Sequence, residues 1–195
     1  HRPWLAALFG ALLLTTRLRA QTISYQFLVK AEVRGFGSQF SGDLGTASMA
    51  FTPGKDASFR VRGDVNVVHP LDAAVVYQYD LDMTFQLKGD KLLTKSRKNT
   101  FNQAGREILD IVEEILPFVY LSQRLPRSPK GYTLDTEKGK HTMTYTGGAA
   151  APEVSLKRGD TEVARFFVKP SSGMAKLVRF RINRRSGANL MFVPR

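Results

Sequence analysis

Between Val75 and Lys88 the chain alternates. Val75, Tyr77, Tyr79, Leu81, Met83, Phe85 and Leu87 take the odd positions, and from Gln78 onward every even position is polar. A period of two sends alternate side chains to opposite faces of a strand, so one face meets a core and the other meets water. That pattern belongs to antiparallel sheet rather than to a parallel sheet buried on both sides. At about 3.3 Å per residue the strand runs roughly 43 Å, long enough that its sheet must twist and curl.

The same alternation recurs along most of the chain. Over Thr22–Arg34, Ile23, Tyr25, Phe27, Val29, Ala31 and Val33 share one face, while Lys30, Glu32 and Arg34 lie on the other. Further strands are predicted over Leu44–Thr52, Ser58–Val68 and Lys91–Phe101. A second series covers Tyr132–Thr136, Lys140–Thr146, Glu153–Leu156, Thr161–Val168, Ala175–Asn183 and Asn189–Val193. Turn chemistry separates them, at Pro53-Gly54, Gly89-Asp90, Lys138-Gly139, Gly147-Gly148, Gly159-Asp160 and Ser186-Gly187.

The period changes once. Across Gln103–Gln123, Ile108, Ile111, Val112, Ile115 and Val119 form a stripe at helical spacing, with Arg106, Glu107, Asp110, Glu113 and Glu114 opposite. Pro117 lacks an amide hydrogen and crowds the preceding turn, so two short helices joined by a kink are expected. The expected fold is mainly β (α+β): one strongly curved antiparallel sheet, an open half-barrel, packed on a kinked helix pair. A β-sandwich with an edge helix is the competing arrangement.

Residues 1–20 read as an export signal. Arg2 precedes the apolar run Trp4–Thr15, and Arg17-Leu18-Arg19-Ala20 follows with a small residue to cut behind. The run is shorter than the roughly 20 residues that span a bilayer. Residues 21–195 then form a single domain, exported and, in a Gram-negative cell, periplasmic. With no cysteine here, no thiolate nucleophile, Cys-ligated metal or lipoprotein anchor is expected.

Catalytic signatures are absent from the sequence pattern. His69 and His141 have no partners at metal-ligand spacing, and no Gly-x-Ser-x-Gly elbow is present. Asp80 and Asp82 share one strand face, as a glycosidase pair could, but they lie with Gln78 and Thr84 on the solvent side. Neither an enzyme nor a metal or other cofactor is expected; a hydrolase is the least favoured class.

Charge points to partners. The chain carries 29 Lys and Arg against 17 Asp and Glu, and ten of these cations fall between Lys157 and Arg195 beside only Asp160 and Glu162. Arg165, Lys169, Arg179, Arg181, Arg184 and Arg185 therefore form a candidate contact for an anionic membrane or polymer. Export speaks against nucleic acid.

One segment carries a family likeness. Ser41-Gly42-Asp43-Leu44-Gly45, then Phe51-Thr52-Pro53-Gly54-Lys55 and Phe59-Arg60, resembles the glycine-containing strand, proline turn and aromatic strand of LolA/LolB-like periplasmic lipoprotein carriers. Thr52 stands where many of those carriers have an arginine. The resemblance implies a half-barrel that binds an apolar ligand. The expected function is an exported, non-enzymatic envelope protein holding a lipid or lipidated ligand. Tyr25, Phe27, Tyr77, Tyr79, Met83 and Phe85 would face Ile108, Ile111, Val112 and Ile115 across the site. The alternative is a structural protein whose basic C-terminal hairpins contact an anionic surface.

Overall fold

A computed structural model describes residues 21–35, 38–69, 72–102, 106–148, 152–171, 175–183 and 188–195. The expected signal, residues 1–20, lies outside them. Six strands come first: β1 (Ile23–Gly35), β2 (Ser38–Pro53), β3 (Ser58–His69), β4 (Asp72–Lys88), β5 (Lys91–Arg97) and β6 (Thr100–Phe101). The helix α1 (Arg106–Arg124) follows. Then come β7 (Tyr132–Thr136), β8 (Gly139–Thr146), β9 (Glu153–Arg158), β10 (Thr161–Lys169), β11 (Lys176–Ile182) and β12 (Ala188–Pro194).

The sheet closes on itself. Its order is β3-β2-β1-β12-β11-β10-β9-β8-β7-β5-β4, and β3 also pairs with β4 along Ser58–Val68. Eleven strands thus make a ring, with short β6 attached to β4 beyond β5. The expected open half-barrel is corrected to a closed barrel. The inner edge that a half-barrel would expose is instead covered by wall on every side.

Two glycines let the wall bend. Opposite β1, Gly45 adopts φ +153° at a register shift where Val29 pairs with Gly45 and Lys30 with Asp43. A Cβ there would stand 2.1 Å from the Asn66 carbonyl oxygen. At Gly63 a Cβ would stand 1.9 Å from the Ser48 carbonyl oxygen, so β2 and β3 approach closely only because both positions are bare.

The alternation decides which face is inside. Val61, Val65, Tyr77, Tyr79, Leu81 and Met83 point inward and are buried, while Arg62, Asp64, Asn66, Gln78 and Asp80 face water. A barrel that spans a membrane has the reverse pattern, with an apolar outer band. This wall is built to stand in water.

The helix fills the ring. Every residue from Ile115 to Gln123 is buried, so this half of α1 has no solvent side. Tyr120 stacks on Phe59 of β3 at 4.3 Å, and Phe118 packs on His141 of β8 at 5.1 Å. Near the helix end, the Tyr25 hydroxyl of β1 donates to Gln123 Oε1 at 2.6 Å. The expected helix pair is also corrected, because α1 runs unbroken from Arg106 to Arg124 with Pro117 inside it. Proline removes one amide donor, but breaking the helix inside an apolar barrel would strand several more backbone groups without partners.

Candidate functional site

The residues expected to line an apolar site do converge inside the barrel. Phe27, Tyr77, Tyr79, Met83, Phe85, Val112 and Ile115 are buried there, and Tyr25 and Ile111 are half-buried against the same core. The side chain of Ile108 lies outside the described residues. With α1 in place these groups make a filled core. Stacking of Tyr25 on Phe27 at 5.3 Å and of Phe59 on Phe85 at 5.4 Å leaves no room between them for a chain of methylenes. Burial raises the hydroxyl pKa of both Tyr25 and Tyr120.

A small hollow among the described residues has an informative position. It lies where β5 meets β7, a junction with a single described register pair, Lys91 with Asp135. Its volume is about 30 Å³, with Met83, Phe85, Leu92 and Phe118 on the apolar side and Arg97, Glu113 and Lys138 on the polar side. That volume holds a water or two, whereas ligand pockets run to several hundred Å³.

Ion pairs hold the helix at this junction. The carboxylate of Glu113, only 6% exposed, receives Arg97 at 3.1 Å and the Asn99 side-chain amide at 2.5 Å. The next residue, Glu114, accepts Arg158 at 2.9 and 3.1 Å, and its Oε1 lies 2.7 Å from Nε2 of fully buried His141. The second His141 nitrogen sits 3.1 Å from the Gly139 carbonyl oxygen. Outside, Arg97 also reaches Glu137 at 3.1 Å. Sequence periodicity places Glu113 and Glu114 on the watery face of α1. Here they are its polar anchors to β5, β8 and β9, and the continuous apolar run Ile115–Leu121 was the signal that this helix has no watery face.

The proposed anionic-surface residues divide. Arg165 is committed to Glu162 at 2.6 Å and to Glu153 at 3.2 Å, and Arg181, 13% exposed, lies between Glu162 and Glu32. Both are therefore occupied, and their place in a free cationic patch is corrected. Lys169 and Arg179 remain exposed, with the Arg179 guanidinium 4.2 Å above the Phe167 ring. Arg184 and Arg185 lie outside the described residues. Burial alone would raise the Glu162 carboxyl, but hydrogen bonds from Arg165, Ser155 and Asn183 overcome it and bring the pKa down to about 2.

The two strand carboxylates do not form a unit. Asp82 takes both Arg60 donors, at 2.7 and 2.5 Å, and the Arg60 hydrogen bond holds its pKa below the usual range. Asp80 accepts from the Thr100 hydroxyl at 3.0 Å, at the edge of an open, mostly polar surface dent of about 400 Å³ beneath β6.

Comparison with solved structures gives a weak likeness. The match is a DUF1329 family protein from Desulfovibrio piger, with 11% identity, a TM-score of 0.35, and coverage of 99% of this chain and 91% of the other. At that score the likeness carries no argument about family or ligand. No known family profile matches the chain, and no curated protein does.

Proposed function

We propose that this protein is an exported binding protein for an apolar, acyl-type ligand, and that α1 is the resident occupant which the ligand displaces. One observation carries the reading. The half of α1 inside the barrel is buried on all sides, yet its polar anchors, to β5, β8 and β9, stand on either side of the β5–β7 junction, which has a single register pair among the described residues. Nine buried residues at 1.5 Å each span roughly 13 Å, a length comparable to that of a medium acyl chain. The leader-like residues 1–20 support export, and binding of an apolar ligand is what the LolA/LolB-like resemblance implies. Binding rather than catalysis fits an interior whose buried acidic groups, among the described residues, are tied to partners holding the helix.

The reading makes affinity depend on the anchors. A ligand that must displace α1 binds more weakly by the fraction of molecules in which the site is open. Weakening the anchors by about 1.4 kcal/mol should raise apparent affinity about tenfold. Titration of the full chain with the fluorescent fatty acid cis-parinaric acid tests this. One probe per chain is expected, with tighter binding by Arg97→Ala and Glu114→Gln. Folded protein, verified by circular dichroism, that takes up no probe in any of the three forms would refute the proposal.

A further inference from the structure

The two ends of the barrel differ in how their charges are matched. Ladder directions place the β2–β3 and β4–β5 turns, the end of α1 with its following loop, and the β8–β9 and β10–β11 connections at one end. Three bonds tie them there: Arg124 to the Gln21 carbonyl at 3.1 Å, Arg127 to the Gly147 carbonyl at 2.9 Å, and the Ala175 amide to the Gln123 carbonyl at 3.2 Å. The two turns contribute Lys55, Lys88 and Lys91, all exposed. Around the rest of the rim stand Arg127 and Lys130 after α1, and Lys169 and Lys176 beside the β10–β11 connection, also exposed. The acids on these turns are Asp56 and Asp90; Glu153, a little further up the wall, is taken by Arg165.

None of these seven cations makes an ion pair among the described residues. At the opposite end cations and acids are mixed: Arg97 pairs with Glu113 and Glu137, Lys138 with Asp110 and Arg158 with Glu114, and Lys98 and Lys140, which make no ion pair among the described residues, share that end with exposed Asp110, Glu137 and Asp160. An aqueous protein gains nothing in stability from a ring of unopposed like charges, since they repel one another.

We infer that this end of the barrel docks on a bilayer surface carrying anionic phospholipid head groups. Charge drawn from turns all around a barrel rim meets an extended surface, whereas a single nucleic-acid strand is held in a groove with aromatic rings for its bases. The most exposed aromatic side chain among the described residues, Phe101, pairs beside Tyr79 midway along β4, away from these turns. Val178, 38% exposed and two positions from Lys176, offers apolar contact at head-group depth. The inference does not depend on α1 being displaced. It also uses a different set of residues from Arg165 and Arg181, which are occupied.

Flotation of the full chain with vesicles tests the inference. Binding to phosphatidylcholine vesicles containing phosphatidylglycerol should exceed binding to phosphatidylcholine alone, and the difference should shrink in high salt. Each cation near such a surface strengthens binding about fivefold, so Lys55→Gln, Lys130→Gln and Lys176→Gln together should weaken it about a hundredfold. A control combining Lys95→Gln, Lys98→Gln and Lys157→Gln removes equal charge away from this rim and should retain most of the binding. The inference fails if the first triple variant keeps its preference for anionic vesicles, or if the control loses as much. It also fails if these residues retain single-stranded DNA while the protein does not float with vesicles. A chain that floats but takes up no fatty acid would overturn the ligand proposal and leave this one standing.

Discussion

Between β12 and β1, each residue from Phe27 to Val33 has a partner in Ala188–Pro194, whereas between β5 and β7 Lys91 alone pairs with Asp135. Behind the first junction Phe27, Phe180 and Phe192 form an aromatic knot, with Phe180 and Phe192 stacked at 4.4 Å. On its outer side Arg181 of β11 ties Glu32 of β1 to Glu162 of β10, a strap across four neighbouring strands with β12 in between. Behind the second junction lie the small hollow and the ion pairs of Glu113 and Glu114. A wall joined by backbone ladders and packed rings resists opening as a unit. One joined by side-chain ion pairs opens when those pairs exchange with water, so the β5–β7 side is where the barrel yields first.

The contrast can be broken by mutation. The largest expected effect is Phe180→Ala, which should lower stability to urea by about 3–5 kcal/mol because the knot cannot collapse around the lost ring. Glu114→Ala should follow at about 3 kcal/mol, since it leaves His141 and Arg158 facing a vacant site, while Glu114→Gln keeps an acceptor and should lose less. Leu92→Ala, beside the existing hollow, should cost about 2 kcal/mol, the low end for such a truncation. Equal losses at Phe180 and Leu92 would show the two junctions to be packed alike.

Smaller effects sharpen the comparison. Glu162 has a folded pKa of about 2 against an ordinary 4.5, so its contribution is present above 4.5 and fades as pH falls from there towards 2. Thermal unfolding across that window should be less acid-sensitive in Glu162→Gln, which would assign part of the acid response to the outer strap of the β12–β1 side. Asp80→Ala touches neither junction and should change stability by no more than about 0.5 kcal/mol. A larger loss, read from the same urea curves, would mean that the Thr100 contact and β6 matter to closure.

Much of the wall was legible in the sequence because strand alternation is local. Positions 75–88 belong to β4, and the predicted turn at Gly89-Asp90 leads directly into β5. Closure was not legible, because it rests on pairings such as Phe27 with Pro194 that no local pattern encodes. The helix was placed well but given the wrong surroundings. Periodicity sorts residues into two faces even when, as for Ile115–Gln123, both faces are buried. Arg165 and Arg181 looked free for a related reason: Glu153 and Glu32 reach them only through strand register, and Glu162, three positions before Arg165, meets it across the register shift between Glu162 and Ala164, which alternation does not foresee.

The position of α1 inside the ring also dictates an order of assembly. A finished barrel cannot be threaded by its own central segment, so β1–β4 must offer their apolar face to α1 before β7–β12 wrap around the other side. The final seam joins the two ends of the sequence, and such distant pairings make for slow folding. Until β12 arrives, β1 keeps an open edge beside a bare apolar sheet, the state most prone to pairing with a second unfinished chain.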